Sequence, residues 1–231
     1  MSSWSRVTQS TVGLKFIIGL TGFLLAAFVF IHLLGNLQVY VGAEAVNQYA
    51  ALLKSMPGPL WAARLGLLAI FGIHVVANGK LHARNRRARR VPYETSTALQ
   101  STAASRSMFV TGVALLAFVA YHLAHFTLGL TDPDNYSLHD ELGRHDVYSM
   151  LVLGFQQPLV SALYVIAMGF LGLHLYHGLA SVFQTAGLRT LTWRDLIDGA
   201  GRLVALLVVL GNISIPLACL VGILKPAQGV F

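Results

Sequence analysis

LKFIIGLTGFLLAAFVFIHLL, residues 14–34, carries a single charge, Lys15, at its second position. A helix that crosses a bilayer needs about 20 consecutive, mostly apolar residues, and this stretch supplies them. The polar MSSWSRVTQSTVGLK before it is short. The apolar run is too long for a signal-peptide core, and no small-residue cleavage site follows it. It therefore reads as an uncleaved first membrane span.

Four further stretches pass the same test: roughly 60–80, 107–129, 158–183 and 201–224. Turn residues bound them. Pro57 and Pro59 precede the second, Pro158 opens the fourth and Gly187 follows it. Pro216 lies inside the fifth and is expected to bend it, which membrane helices tolerate. No internal repeat is read. The fold expected is all-α, an integral membrane five-helix bundle forming one domain over residues 1–231.

Composition agrees. The chain is 55 % hydrophobic and 11 % charged, whereas soluble domains have about 25 % charged residues. A formal charge of +7 would suggest nucleic acid in a soluble protein. Here the basic residues sit beside apolar runs, so topology explains them and no nucleic-acid partner is expected. Cys219 is the sole cysteine. It excludes an internal disulfide and a cysteine-held iron–sulfur cluster within this chain.

Basic residues give the orientation. The second connection between spans holds Lys80, Arg84, Arg86, Arg87, Arg89, Arg90 and Arg106, and the fourth holds Arg189, Arg194 and Arg202. Arg6 and Lys15 precede the first span. The other side has Lys54, Arg64, Arg144 and Lys225. The positive-inside rule then puts the N-terminus in the cytoplasm and the C-terminus outside. KLHARNRRARR, residues 80–90, reads first as an orientation signal on a solvated loop, with anionic lipid a compatible contact. The acidic third connection, about 130–157, is long enough to fold as a short outer cap.

Ionisable residues inside spans are costly and mark function. No Asp or Glu lies in a span core, but His32, His74, His122, His125, His174 and His177 do. His32 lies 17 residues beyond Lys15, and His122 lies 16 beyond Arg106. At 1.5 Å per residue both are about 25 Å from the cytoplasmic boundary. His74 lies six residues before Lys80 on a span running inward, and His174 lies 16 beyond Pro158. Both fall near the inner side. Two pairs at two depths result, His32 with His122 and His74 with His174. Facing neutral imidazoles suit the axial positions of an electron-transferring haem b iron. Gly35, Gly72, Gly79, Gly112, Gly172 and Gly178 would make room for the macrocycle or serve helix packing. His125 and His177 each lie three residues past a preferred ligand, on about the same face, so spacing leaves them open. His82, past the charge boundary, is expected to face headgroups or a partner.

These residues sit in strings that resemble a family, the single-chain dihaem cytochrome b anchors of succinate dehydrogenase and fumarate reductase. The strings are TGFLLAAFVFIHLLGN at 21–36, GAEAVNQYAALLKSMPGP at 42–59, YHLAHFTLG at 121–129, DVYSMLVLGFQQP at 146–158 and HLYHGLASVFQTAG at 174–187. Their order and spacing cover most of the chain, and 42–59 looks like the family's short outer helix. The resemblance implies two haems b. His32 and His122 would hold the distal haem iron, and His74 and His174 the proximal one. It implies a flavoprotein and an iron–sulfur subunit on the cytoplasmic side and a membrane quinone, menaquinone, as substrate. Electrons would pass from succinate through those partners to the haems and the quinone, or backwards for fumarate. It further implies a multi-pass protein of the bacterial plasma (inner) membrane. Some members carry a glutamate in the fourth helix, where this chain has GFLGLH at 169–174 and no acid.

Two other readings share parts of the pattern. A dihaem anchor of a hydrogenase or formate dehydrogenase has the histidine logic without the motif order. A haem-free transporter or channel is expected to show repeats and midplane substrate groups. Quinone reduction takes up protons, so its site needs polar groups near a redox centre. With no carboxylate in the spans, the outer face is the richer source. Asn36, Glu44, Gln48 and His145 are the candidates there, with His139, Asp140, Asp146 and Tyr148 nearby. An inner site using His82 is the alternative.

Overall fold

The protein is described by a computed structural model that covers residues 10–88 and 103–227. Arg6, Arg89 and Arg90, used above for orientation, lie outside the described residues. The described chain is helical. Its elements are α1 (Thr11–Asn36), a 3-10 turn (Leu37–Tyr40), α2 (Ala43–Lys54), α3 (Pro57–Ala88) and α4 (Ala103–His122), which continues as a π-helical segment (Leu123–Thr127). Then follow the short α5 (Pro133–Tyr136), α6 (Val147–Gln156), α7 (Pro158–Thr185) and α8 (Arg194–Leu220). The β-pairing among the described residues is an isolated bridge, His139 to His145.

Five of these are long and apolar enough to cross a membrane: Thr11–Tyr40, Pro57–Ala88, Ser105–Thr127, Pro158–Thr185 and Arg194–Leu220. Their large apolar side chains stay exposed, among them Leu20, Leu65, Leu68, Val110, Ile166 and Leu206. Water would penalise so much continuous apolar surface, and lipid would not. A multi-pass membrane protein is the coarse conclusion.

Local chemistry fixes the ends. Pro57 and Pro158 open α3 and α7, where a missing N–H is harmless and φ is already helical. Asp146 caps α6 by accepting the Ser149 N–H at 3.0 Å. Gly187 adopts φ 75° just after α7, and the Leu188 N–H returns to the Phe183 carbonyl at 2.9 Å. Arg189 then clamps Asp198 with two hydrogen bonds of 2.8 and 2.7 Å.

Several expected boundaries shift. The second span does not end in a loop at 80; α3 carries Lys80, Arg84, Arg86 and Arg87 on helix. Arg and Lys are good helix formers, so a solvated extension costs little. Arg106 likewise lies on α4, and Arg194 and Arg202 on α8. The fifth span starts at Arg194 rather than 201 and stops at Leu220, where a turn with Gly222 at φ 75° begins. Pro216 is inside α8, as read. The third connection holds α5 and α6, and 42–59 holds α2.

The described residues gather into two compact units. Those within Met1–Phe28, Arg64–Gly112 and Leu173–Ala205 form the first; those within Val29–Ala63, Val113–Gly172 and Leu206–Phe231 form the second. The second has a core of Val39, Val46, Val152, Phe155, Tyr164 and Ile215 with neighbours. There Gly172 lies so close to α8 that a Cβ would stand 2.8 Å from Val209 Cγ2, and a Cβ on Gly211 would stand 2.9 Å from Leu33.

Candidate functional site: two histidine pairs

Each unit contains one of the expected pairs. In the first, the rings of His74 and His174 have centroids 6.4 Å apart at an interplanar angle of 68°. In the second, His32 and His122 are 5.9 Å apart at 83°. A metal–imidazole bond is about 2.0 Å, so two imidazoles on opposite sides of one metal atom have centroids about 6 Å apart. Both pairs have that separation.

The donor set also fits haem. Among the described residues no group of three or more His, Cys, Asp or Glu converges on one point. Two histidines are an incomplete shell for a bare ion and a full axial set for haem iron.

The first pair is braced by hydroxyls. Thr21 and Thr111 are both buried. Thr21 Oγ1 donates to the Ile17 carbonyl at 2.7 Å and stands 3.0 Å from His74 Nδ1. Thr111 Oγ1 donates to the Met108 carbonyl at 3.2 Å and stands 3.2 Å from His174 Nδ1. A hydroxyl has one proton. With that proton given to the carbonyl, each oxygen accepts from Nδ1–H, which leaves Nε2 of each histidine with its lone pair. Gly22 lets the His74 ring approach, since a Cβ there would stand 3.1 Å from His74 Cε1, whereas one on Gly112 would make ordinary contact with His174 Cε1 at 3.7 Å.

In the second unit Tyr164 does the equivalent. Its hydroxyl is 3.3 Å from His122 Nδ1 and 3.2 Å from His125 Nδ1. It can accept from one and donate to the other. His125 is 3 % exposed, stacks on Phe126 at 3.9 Å, and has Gly154 closed on its Nε2 side. His122 and His32 keep accessible surface. Packing thus separates His122 from His125, which spacing left open. His177 is half-exposed and has no ring contact among those found for the pairs. His82 is exposed and stacks on Phe109 at 4.0 Å.

The glycines divide. Gly72, Gly79 and Gly178 have nothing within 4 Å of a Cβ position. Gly35 packs on Tyr49 and Gly172 on Val209, so these two serve helix approach.

The quinone candidates are spread over the second unit. Asn36 ends α1, and Gln48 is exposed on α2. Glu44 receives two bonds from Arg144, 3.0 Å from Nη1 and 2.6 Å from Nη2, which hold its carboxyl below the usual range. Burial opposes charge on Asp140, yet bonds from the Arg144 N–H and guanidinium and from the Leu142 N–H hold its carboxyl low too. His145 donates Nε2–H to the Tyr136 carbonyl at 2.7 Å and accepts at Nδ1 from Lys54 Nζ at 2.9 Å. Burial first, then the Lys54 charge, lowers its pKa. Lys54, Arg144 and His145, with Ala50, Ala51 and Ser55, line a cavity of about 330 Å³.

Three residues escaped the sequence reading. Asn47, buried on α2, donates to Asp146 Oδ1 at 2.9 Å and accepts the Tyr148 N–H at 3.1 Å, tying α2 to α6. Thr21 and Thr111 had a signal: TGFLLAAFVFIHL at 21–33 and TGVALLAFVAYHL at 111–123 are near copies. That short repeat corrects the reading that none exists. In both, the histidine lies eleven positions beyond the threonine, about three helical turns.

Compared with family models, with curated proteins and with solved structures, the chain matches none.

Proposed function

We propose that the chain is the dihaem cytochrome b membrane anchor of a succinate:quinone oxidoreductase. It would pass electrons between an iron–sulfur subunit and membrane quinone, with the dicarboxylate chemistry on a flavoprotein partner. The observation that supports this best is the pairing of His32 with His122 and of His74 with His174 at metal-spanning separations. The order of the strings quoted above selects this family over other dihaem anchors.

Haem b, when bound, supplies a one-electron centre at each pair. His74 and His174 would hold the proximal group, and His32 and His122 the distal one. Thr21 and Thr111 would hold protons on Nδ1 of His74 and His174 and so keep Nε2 available, and Tyr164 does the same for His122 when it donates its own proton to His125. Lipid around the apolar helices would keep water from both pairs.

The quinone is assigned to the cavity beside Lys54 and His145, of about 330 Å³, the lower end of the range for small-molecule sites. Lys54 can donate to a carbonyl oxygen, and His145, its own proton given to the Tyr136 carbonyl, holds the Lys54 ammonium in place. Orientation follows from the basic residues: N-terminus cytoplasmic, C-terminus outside, in a bacterial inner membrane.

Two measurements test the proposal. Affinity purification from the native membrane should bring down a covalent-flavin subunit and an iron–sulfur subunit, and the reduced-minus-oxidised spectrum should show b-type haem. A hydrogenase or formate dehydrogenase subunit in their place would assign the anchor to another enzyme. Absence of haem bands would favour the transporter reading.

A further inference from the structure

We propose that Thr21 and Thr111 are positioning residues for the His74–His174 pair, each fixing one imidazole's tautomer and setting how strongly its Nε2 donates to a bound iron. The inference rests on the haem reading above and concerns residues that reading does not require.

The two threonines share every feature the role needs. Both are buried, at 7 % and 1 % exposure. Both hydroxyls reach into their own helix, Thr21 to the Ile17 and Ile18 carbonyls and Thr111 to that of Met108, and both reach Nδ1 of a histidine on another helix. Both precede a glycine that faces Cε1 of the same imidazole. Both open the near-copy strings at 21–33 and 111–123.

A structural role explains only part of this. Threonines in membrane helices commonly bond back to the i−4 carbonyl, and small residues serve close packing. Neither requires that both hydroxyls end on Nδ1 of the two members of one pair. An outer partner on the distal nitrogen fixes ring orientation and raises ligand basicity, and its loss typically lowers metal affinity about 10–100-fold. An Nδ1–H that donates to an anchored oxygen makes Nε2 a stronger donor. Stronger donation favours ferric over ferrous iron, so the hydroxyls should lower the midpoint potential of that centre.

The test uses the intact purified complex with Thr21→Val, Thr111→Val and both serine counterparts. Haem content, low-temperature electron paramagnetic resonance and a redox titration are read for each haem. Valine keeps the shape and removes the acceptor; serine keeps the acceptor. The expected result is one haem with a raised potential and an altered ferric signal in each valine variant. Serine restores both, and the other haem does not move. Where a valine variant loses that haem, serine must restore it with its potential, and a serine variant that stays depleted overturns the role of the hydroxyl. Unchanged potentials and signals in the valine variants would overturn it as well, as would a shift confined to the haem lost in His122→Ala. A parent complex without haem would instead overturn the haem reading.

Discussion

His122 and His125 lie three residues apart on consecutive turns, and their surroundings divide their work. His125 is packed between Phe126 and Gly154 and bonded to Tyr164, so His125→Gln should keep both haems in a pyridine haemochrome assay. His122→Ala should remove one haem, the same one lost in His32→Ala, while His74→Ala and His174→Ala remove the other. Loss of a haem from His125→Gln would move the ligand assignment. Depth from the charged boundaries made the pairing legible in the sequence. The Tyr164 partner was not legible, because a hydroxyl in a membrane helix looks the same whether it faces a carbonyl or an imidazole; Thr21 and Thr111 had the likeness of 21–33 to 111–123 as their one signal. Glu44 was readable as polar and outer, but its partner Arg144, a hundred residues on, was not. Titration at this corner has one sign. Folded-state pKa values of Glu44, Asp140 and His145 are depressed from 4.5, 3.8 and 6.5. Each contributes stability that is complete above its unfolded value and is lost as pH falls through the folded one. Limited proteolysis of the 138–146 segment should therefore speed up on acidification from pH 7 towards 4, relative to a control substrate. Cleavage that slows on acidification would contradict these assignments.

At the scale of elements, hydropathy located all five long helices because lipid demands a continuous apolar run. It misjudged their ends, because water tolerates a helix as readily as a loop. The basic end of α3 and the Arg194 start of α8 are such solvated extensions. Two contacts between elements carry measurable weight. Asn47 satisfies both the Asp146 carboxylate and the Tyr148 N–H. Asn47→Ala leaves the buried Tyr148 N–H unpaired and leaves Asp146 Oδ1 with the Ser149 N–H, at a cost of about 1–3 kcal/mol, and should lower the thermal midpoint of the detergent-solubilised complex while leaving the haem count intact. Gly172 permits α7 and α8 to touch at Val209. Gly172→Ala should cost about 1–3 kcal/mol by overpacking, and Val209→Ala in the same chain should recover part of it.

For the whole molecule, the division into two compact units coincides with the division of histidines into two pairs. Each unit draws its pair from two long helices, so the pairing of four histidines is a property of the fold and not of one motif. Among the described residues five helices are long and apolar enough to cross a membrane, and the proposed orientation, N-terminus cytoplasmic and C-terminus outside, rests on the basic residues. Reporter fusions should be active for a cytoplasmic enzyme at the N-terminus and for a periplasmic one at the C-terminus; the reverse would invert the bundle and move the quinone cavity to the other face. The central claim is the number of haems. Pyridine haemochrome absorbance of the intact complex, divided by the amount of this chain from amino-acid analysis, should give two haems b per chain. A ratio of one would leave one pair without its proposed role, and a ratio of zero would contradict the function proposed for the molecule.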